Sequence, residues 1–275
     1  MFHKTFGSTG RQVAAIGQGT WPVPDADALR RGIALGMTHI DTAEMYGSGE
    51  SEEIVGAAIS GVPRDSLFVV TKVLPSNASA KGVARACERS LRRLRTPYVD
   101  CYLIHWRGDV PIEETMGALE RLVTDGKARS IGVSNFDPWD LKEAAAALTT
   151  QRIACDQVLF NVRERTVEDH ELPWARENGC AIVAYTPLGA PALAPSQKGY
   201  RTLQEIAGTH GVSAHAVALA FLVRDPLVFA IPKASTIAHV EANARAGDVV
   251  LAADEVAAID AAFPRRERVG PLPTN

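Results

Sequence analysis

Short apolar, β-branched runs alternate with longer amphipathic ones along this 275-residue chain. Eight runs read as strands: VAAIGQG (13–19), HID (39–41), LFVVTKV (67–73), VDCYLIHW (99–106), SIGVSN (130–135), ACDQVL (154–159), AIVAYT (181–186) and VFAIP (228–232). They are apolar almost throughout, the pattern of parallel strands covered on both faces. Between them apolar positions fall to helical spacing. Val83, Cys87, Leu91 and Leu94 mark a helix over 79–96, and Ile112, Met116, Leu119 and Val123 mark one over 112–125. Eight strand-helix units with no Pro/Gly/Ser-rich linker predict an α/β fold in one domain, 1–275, closed as a (β/α)8 TIM barrel. Leu251, Val256 and Ile259 predict an extra C-terminal helix over 249–263, and the Ser-Thr-Gly centre of HKTFGSTGRQV a short N-terminal hairpin.

Three of the runs end on residues that a buried strand avoids. Asp41 closes the second, Lys72 comes near the end of the third and His105 near the end of the fourth. Lys and Asp are seldom fully buried unless paired. Taken singly, Asp41 reads as a turn acid or helix cap, and Lys72 as the point where a strand meets water. His105 alone reads as a core histidine bonded to a carbonyl. In a (β/α)8 barrel, however, the C-terminal strand ends open together on the face where active sites sit. Asp41, Lys72 and His105 are therefore expected to converge there, with Tyr46 in the loop above them.

That set predicts proton transfer. A tyrosine with a pKa of about 10 is a poor acid at neutral pH. A neighbouring ammonium favours the phenolate, so Lys72 is expected to lower the pKa of Tyr46 while Asp41 keeps Lys72 charged. Tyr46 would then protonate a carbonyl oxygen, with His105 donating a second hydrogen bond. No GxSxG nucleophile and no HExxH-type metal pair is present, so no metal is expected and the electron pair must come from a hydride-carrying cofactor.

Composition narrows the partners. The hydrophobic share of 46% and charged share of 22% are ordinary globular usage, and the net charge of −3, with signs interspersed, argues against nucleic acid. Cys87, Cys101, Cys155 and Cys180 show no CxxC spacing or close clustering and read as reduced core thiols. The start, MFHKTFGSTG, lacks a signal-peptide core, and no apolar run nears the ~18 residues of a membrane span. A cytoplasmic protein without a membrane partner is expected. Nothing marks an interface, so a monomer is expected.

These residues lie in motifs that resemble the aldo-keto reductase family across essentially the whole chain. GMTHIDTAEMYGSGESEEIVGAAI is similar to the family's first signature, and the catalytic tetrad it implies falls on Asp41, Tyr46, Lys72 and His105. GKARSIGVSNF resembles the second, which implies Ser134 and Asn135, with Gln157 of ACDQVLF, at the nicotinamide carboxamide. VAYTPLG implies Tyr185 stacked on the nicotinamide, with Thr186, Pro187, Leu188 and Gly189 along the pyrophosphate. GQGTW implies Gly19 and Thr20 beside the ribose and Trp21 in the substrate pocket, where Tyr46, His105 and Trp106 would also stand. Gly17-x-Gly19 lacks the third glycine of a Rossmann fingerprint, and Trp21-Pro22 breaks that pattern.

IPKASTIAHVEAN stands where the family grips the adenosine 2′-phosphate, through Lys233, Ala234, Ser235, His239 and Asn243. Here the sequence departs from the family. Ala234 replaces a hydroxyl residue, His239 an arginine and Ala242 an acid. Neutral imidazole lacks the bidentate fork of arginine. The resemblance implies NADPH as cofactor, with Lys233 as its anion partner, and leaves NADH possible.

The short connection after His105 and the short tail after the last helix, which would not close the pocket, suggest an open, shallow site for small electrophilic carbonyls. In its IPKASTIAHV and LIHW segments and its short tail the chain is similar to small bacterial reductases of methylglyoxal and related 2-oxoaldehydes. A nicotinamide-binding redox sensor or regulatory subunit with little turnover stays open, as does an unrelated barrel lyase or isomerase that binds no nicotinamide.

Overall fold

The computed structural model describes residues 1–274. An N-terminal hairpin pairs β1 (His3–Thr5) antiparallel with β2 (Gln12–Ala14). The barrel strands follow: β3 (Gln18–Gly19), β4 (His39–Asp41), β5 (Phe68–Val73), β6 (Cys101–Ile104), β7 (Ile131–Ser134), β8 (Ile153–Leu159), β9 (Ala181–Tyr185) and β10 (Val228–Ala230). They lie side by side in chain order and run parallel. Parallel bridges of Ile16 with Ala230 and Gly19 with Lys233 join the two ends of the sheet. The run 13–19 is thus divided. Val13 and Ala14 belong to the hairpin, and Gln18 and Gly19 form the barrel strand, with Ile16 bridged to Ala230.

The outer helices are α1 (Ala26–Ala34), α2 (Glu50–Ala58), α3 (Ala80–Leu94), α4 (Ile112–Thr124), α5 (Pro138–Ala146), α6 (Glu171–Asn178), α7 (Tyr200–His210), α8 (Ala214–Leu222), α9 (Ile237–Ala246) and α10 (Ala253–Ala262). The extra C-terminal helix is α10. Two helices rather than one, α7 and α8, stand between β9 and β10, broken at Gly211, whose φ of 64° ends α7, and restarted by the Ser213 side chain capping Ala216 N. No helix is long and apolar enough to cross a membrane among the described residues.

Strand alternation sorts the side chains. On β5, Phe68 and Val70 enter the cluster inside the barrel while Val69 and Val73 pack outward against the helices. The same period of two turns Lys72 inward, and on β6 it turns Cys101 and Leu103 inward, in line with His105 just beyond the strand. The floor is closed by Phe6 of the hairpin loop, whose ring lies 4.5 Å from that of Phe68 and 4.9 Å from that of Phe229. His39 sits on this floor, fully buried, edge-on to the rings of Phe6, Phe68 and Phe229, with neither ring nitrogen hydrogen-bonded. All four cysteines are buried free thiols.

Candidate active site

The parallel register sets the C-terminal ends of β4, β5 and β6 side by side, and the loop after β4 folds Tyr46 back over them. The Lys72 Nζ, with no exposed surface, donates to Asp41 Oδ2 at 2.7 Å, the Thr42 carbonyl at 3.0 Å and Tyr46 Oη at 3.1 Å. Its three protons are used. Gln157 on β8 donates through Nε2 to the other carboxylate oxygen of Asp41 at 2.7 Å. The His105 ring lies 5.7 Å from that of Tyr46, and Trp21 and Trp106 flank the pair with ring separations of 5.1 and 4.9 Å. The structure therefore brings together Asp41, Tyr46, Lys72 and His105.

Electrostatics assign protons to these groups. Burial lowers the pKa of Lys72, but the Asp41 carboxylate and the Tyr46 phenol outweigh it and hold the ammonium above its ordinary pKa. Burial draws Asp41 up against the charge of Lys72 and the bonds from Lys72 and Gln157. For Tyr46 the direction differs from the sequence expectation. Burial raises the phenol by more than Lys72 lowers it, and Asp41 adds to the rise. The phenol thus keeps its proton at neutral pH, and the ammonium limits a rise it does not reverse. Burial, helped by Lys72, pushes His105 down to about 3, so its ring is neutral. His105 Nδ1 is buried without a partner, which leaves Nε2 to serve the cavity.

A cavity of about 640 Å³ opens above this set. Trp21, Tyr46, His105 and Trp106 line one part of it. Gly19, Thr20, Asp41, Ser134, Asn135, Gln157, Tyr185, Thr186, Pro187 and Lys233 line another part. Asn135 is fixed by bonds from Nδ2 to the His105 carbonyl at 3.1 Å and Ser134 Oγ at 3.0 Å, and its Oδ1 accepts from Tyr185 Oη at 2.8 Å. Ser134 Oγ donates to the Gln157 carbonyl at 2.8 Å. Leu188, Gly189, Ala234, Ser235, His239 and Asn243 do not line this cavity. Gly189 packs against Arg163 at a φ of 82°, and an added Cβ would lie 2.1 Å from Arg163 Nη2. Lys233 Nζ bonds Ser235 Oγ and has no carboxylate partner among the described residues. His239 is exposed in the first turn of α9, capped by Thr236, while Asn243 is buried on that helix.

Sequence reasoning missed several neighbours. Met45, Arg107, Ile231 and Thr274 also line the cavity. Thr274 is a correction, since the tail after α10 does reach the cavity, along a path that only long-range packing sets. A buried hydroxyl chain was missed too. Ser51 Oγ donates to Thr20 Oγ1 at 2.8 Å and lies 3.0 Å from Thr42 Oγ1, while Thr20 Oγ1 donates to the Asp41 carbonyl at 2.9 Å. It locks together the backbone that carries Asp41 and the carbonyl that receives Lys72. The SGES punctuation after Tyr46 held the only hint of it.

The arrangement, a paired ammonium against a protonated phenol beside a neutral imidazole, can deliver a proton to an oxygen that gains negative charge. Known proteins share its frame. Residues 14–263 match the model of the Aldo/keto reductase family. The chain is 43% identical over 259 residues to the Methylglyoxal reductase YeaE of Escherichia coli K12, covering 91% of each chain. It is 34% identical over 267 residues to the 9,11-endoperoxide prostaglandin H2 reductase of Trypanosoma cruzi, covering 94% of this chain and 91% of that one. Among solved structures, an aldo/keto reductase from Klebsiella pneumoniae in complex with NADP and acetate superposes with a TM-score of 0.91 at 40% identity, covering both chains fully. The protein is an enzyme of the aldo/keto reductase family.

Proposed function

We propose that the protein catalyses the NADPH-dependent reduction of small carbonyl compounds, with 2-oxoaldehydes such as methylglyoxal as the substrate class. The observation that carries this reading is the Lys72 ammonium 3.1 Å from the Tyr46 hydroxyl and 2.7 Å from Asp41, at the base of a cavity. The cavity suits a nicotinamide nucleotide. Tyr185 offers an aromatic face, Ser134, Asn135 and Gln157 supply polar groups beside it, and Lys233 at the rim is an ammonium without an acid among the described residues. Thr186, Pro187, Leu188 and Gly189 would follow the pyrophosphate, with Gly19 and Thr20 beside the ribose. Ala234, Ser235, His239 and Asn243 would surround the adenosine end. When bound, the dihydronicotinamide supplies the hydride.

The chain's own residues do the remaining work. Tyr46 Oη and His105 Nε2 would receive the carbonyl oxygen and orient the carbon. As charge develops on that oxygen, Tyr46 gives up its proton, and the Lys72 ammonium stabilises the phenolate left behind. Asp41 holds Lys72 charged, and Gln157 and Thr42 keep both in place. His105, neutral with a pKa of about 3, acts as a hydrogen-bond donor. The aromatic rim of Trp21 and Trp106 suits short substrates that reach the tyrosine without long walls. The substrate class leans on the Escherichia coli relative named as a methylglyoxal reductase.

The test follows the reduced-nicotinamide absorbance of NADPH mixed with protein and methylglyoxal. Oxidation that depends on both supports the reading. Tight NADPH binding with no turnover of any aldehyde would replace it with a redox sensor, and no NADPH binding would remove the cofactor from the reading.

A further inference from the structure

One ionic cluster reaches the cavity rim through Arg107, apart from the proton-transfer groups. Arg107, directly after Trp106, lines the cavity, and its Nη1 donates to Asp140 Oδ1 at 2.8 Å and Glu143 Oε2 at 2.5 Å. Both acids lie on α5 three residues apart, so they share one helical face. Asp137 caps that helix, accepting from Trp139 N and Asp140 N at 2.9 Å each, and so anchors the turn that carries Asp140. One guanidinium thus meets two carboxylates, and the cluster keeps a negative charge. Lys142, on the same helix, is exposed and two residues from Asp140, on the far side of the turn. The other cations near the cavity do not offset it. Lys72 is matched by Asp41, and Lys233 stands at the cofactor end.

We propose that Arg107, Asp140 and Glu143 form a charge filter that makes the site select uncharged carbonyls and reject carboxylated or phosphorylated ones, because the two acids cancel the one cation that the described residues place at the substrate mouth. This rests on the carbonyl-reductase reading and deepens it. An uncharged 2-oxoaldehyde meets no penalty at the rim, whereas a 2-oxo acid meets an excess carboxylate and finds the guanidinium already engaged. Arg107 is the specificity-determining residue, masked by its neighbours.

The experiment compares kcat/KM for benzaldehyde and 4-carboxybenzaldehyde, two aldehydes that differ by one carboxylate. It uses NADPH-saturated wild type, Glu143→Gln, Asp140→Asn/Glu143→Gln, and that pair with Arg107→Met. Both substrates are read on one preparation, so a loss of folded protein cancels from the ratio. Wild type is expected to favour benzaldehyde by about three- to tenfold, less so as salt is raised. Glu143→Gln should narrow the ratio and the double variant should reverse it, while Arg107→Met in that background should abolish the reversal. A wild type that prefers the carboxylated aldehyde, or a ratio unmoved in the double variant while benzaldehyde is still reduced, overturns the filter. If wild type reduces neither aldehyde nor methylglyoxal, the underlying carbonyl-reductase reading fails with it, a different result from an unmoved ratio.

Discussion

Replacing Lys72 by methionine tests the ion pair under the site through stability alone. The side chain has no exposed surface, and methionine nearly matches its volume, so the change removes a charge more than it opens a cavity. What remains is Asp41, 1% exposed, with Gln157 as its side-chain donor. Removing one partner of a buried pair costs about 3–5 kcal/mol, because the other charge stays desolvated. For a chain of this size that is a fall in Tm of roughly 6–10 °C. The pH dependence carries the sharper prediction. Without its cation, the Asp41 carboxyl is raised further above its unfolded value of about 3.9. A carboxyl raised on folding contributes most below the unfolded pKa, and its contribution is lost as pH rises toward the folded pKa, by about 1.4 kcal/mol per unit. The deficit of Lys72→Met against wild type at the same pH should therefore be small at pH 5 and large at pH 8. Adding Asp41→Asn removes the stranded charge and should restore most of the stability at pH 8. Urea unfolding of wild type, Lys72→Met and the double variant at both pH values measures this. A deficit equal at both pH values and untouched by Asp41→Asn would refute the charged pair.

Other outcomes follow from the same geometry. Tyr46→Phe should lower kcat by roughly 10²–10⁴-fold while NADPH affinity, read by fluorescence titration, stays within a factor of two. Lys233→Met should weaken NADPH by about tenfold and leave NADH unchanged in the same titration, and equal losses for both would place the 2′-phosphate elsewhere. Burial, reinforced by Lys72, pushes His39 down to about 3 and His105 likewise. A histidine depressed on folding stabilises above its unfolded pKa of about 6.5, and that stability is lost as pH falls, by about 1.4 kcal/mol per unit for each ring. His39→Leu should therefore flatten the decline of Tm between pH 6.5 and 4 and leave stability at pH 8 equal or higher, since both its ring nitrogens are unpartnered. An unchanged acid limb would show that the ring is hydrated or paired in solution.

Much of this was legible in the chain. Near-continuous apolar runs such as FVVTKV are informative because a strand covered on both faces tolerates little polarity, so Lys72 and Asp41 stood out against their own strands. Strand parity then told which way they face. The divided run at 13–19 was not legible, because Val13 and Gln18 stand in one unbroken run and only the hairpin's pairing with His3–Thr5 separates them. Nor was the net direction of the Tyr46 shift, which weighs burial against one ammonium and requires knowing how deeply the ring sits.

Local pattern alone determined most of the alternation of strands and helices, the polar intruders at three strand ends and the type of chemistry they allow, since periodicity and burial preference act over a few residues. Tertiary structure alone decided what gathers around them: Gln157 reaching Asp41 across the barrel, the Ser51 hydroxyl between two strand ends, Thr274 at the cavity and the acids that mask Arg107. Those partners lie tens of residues or more from the groups they serve in most cases, and their distances follow from barrel closure, which no local stretch of sequence encodes.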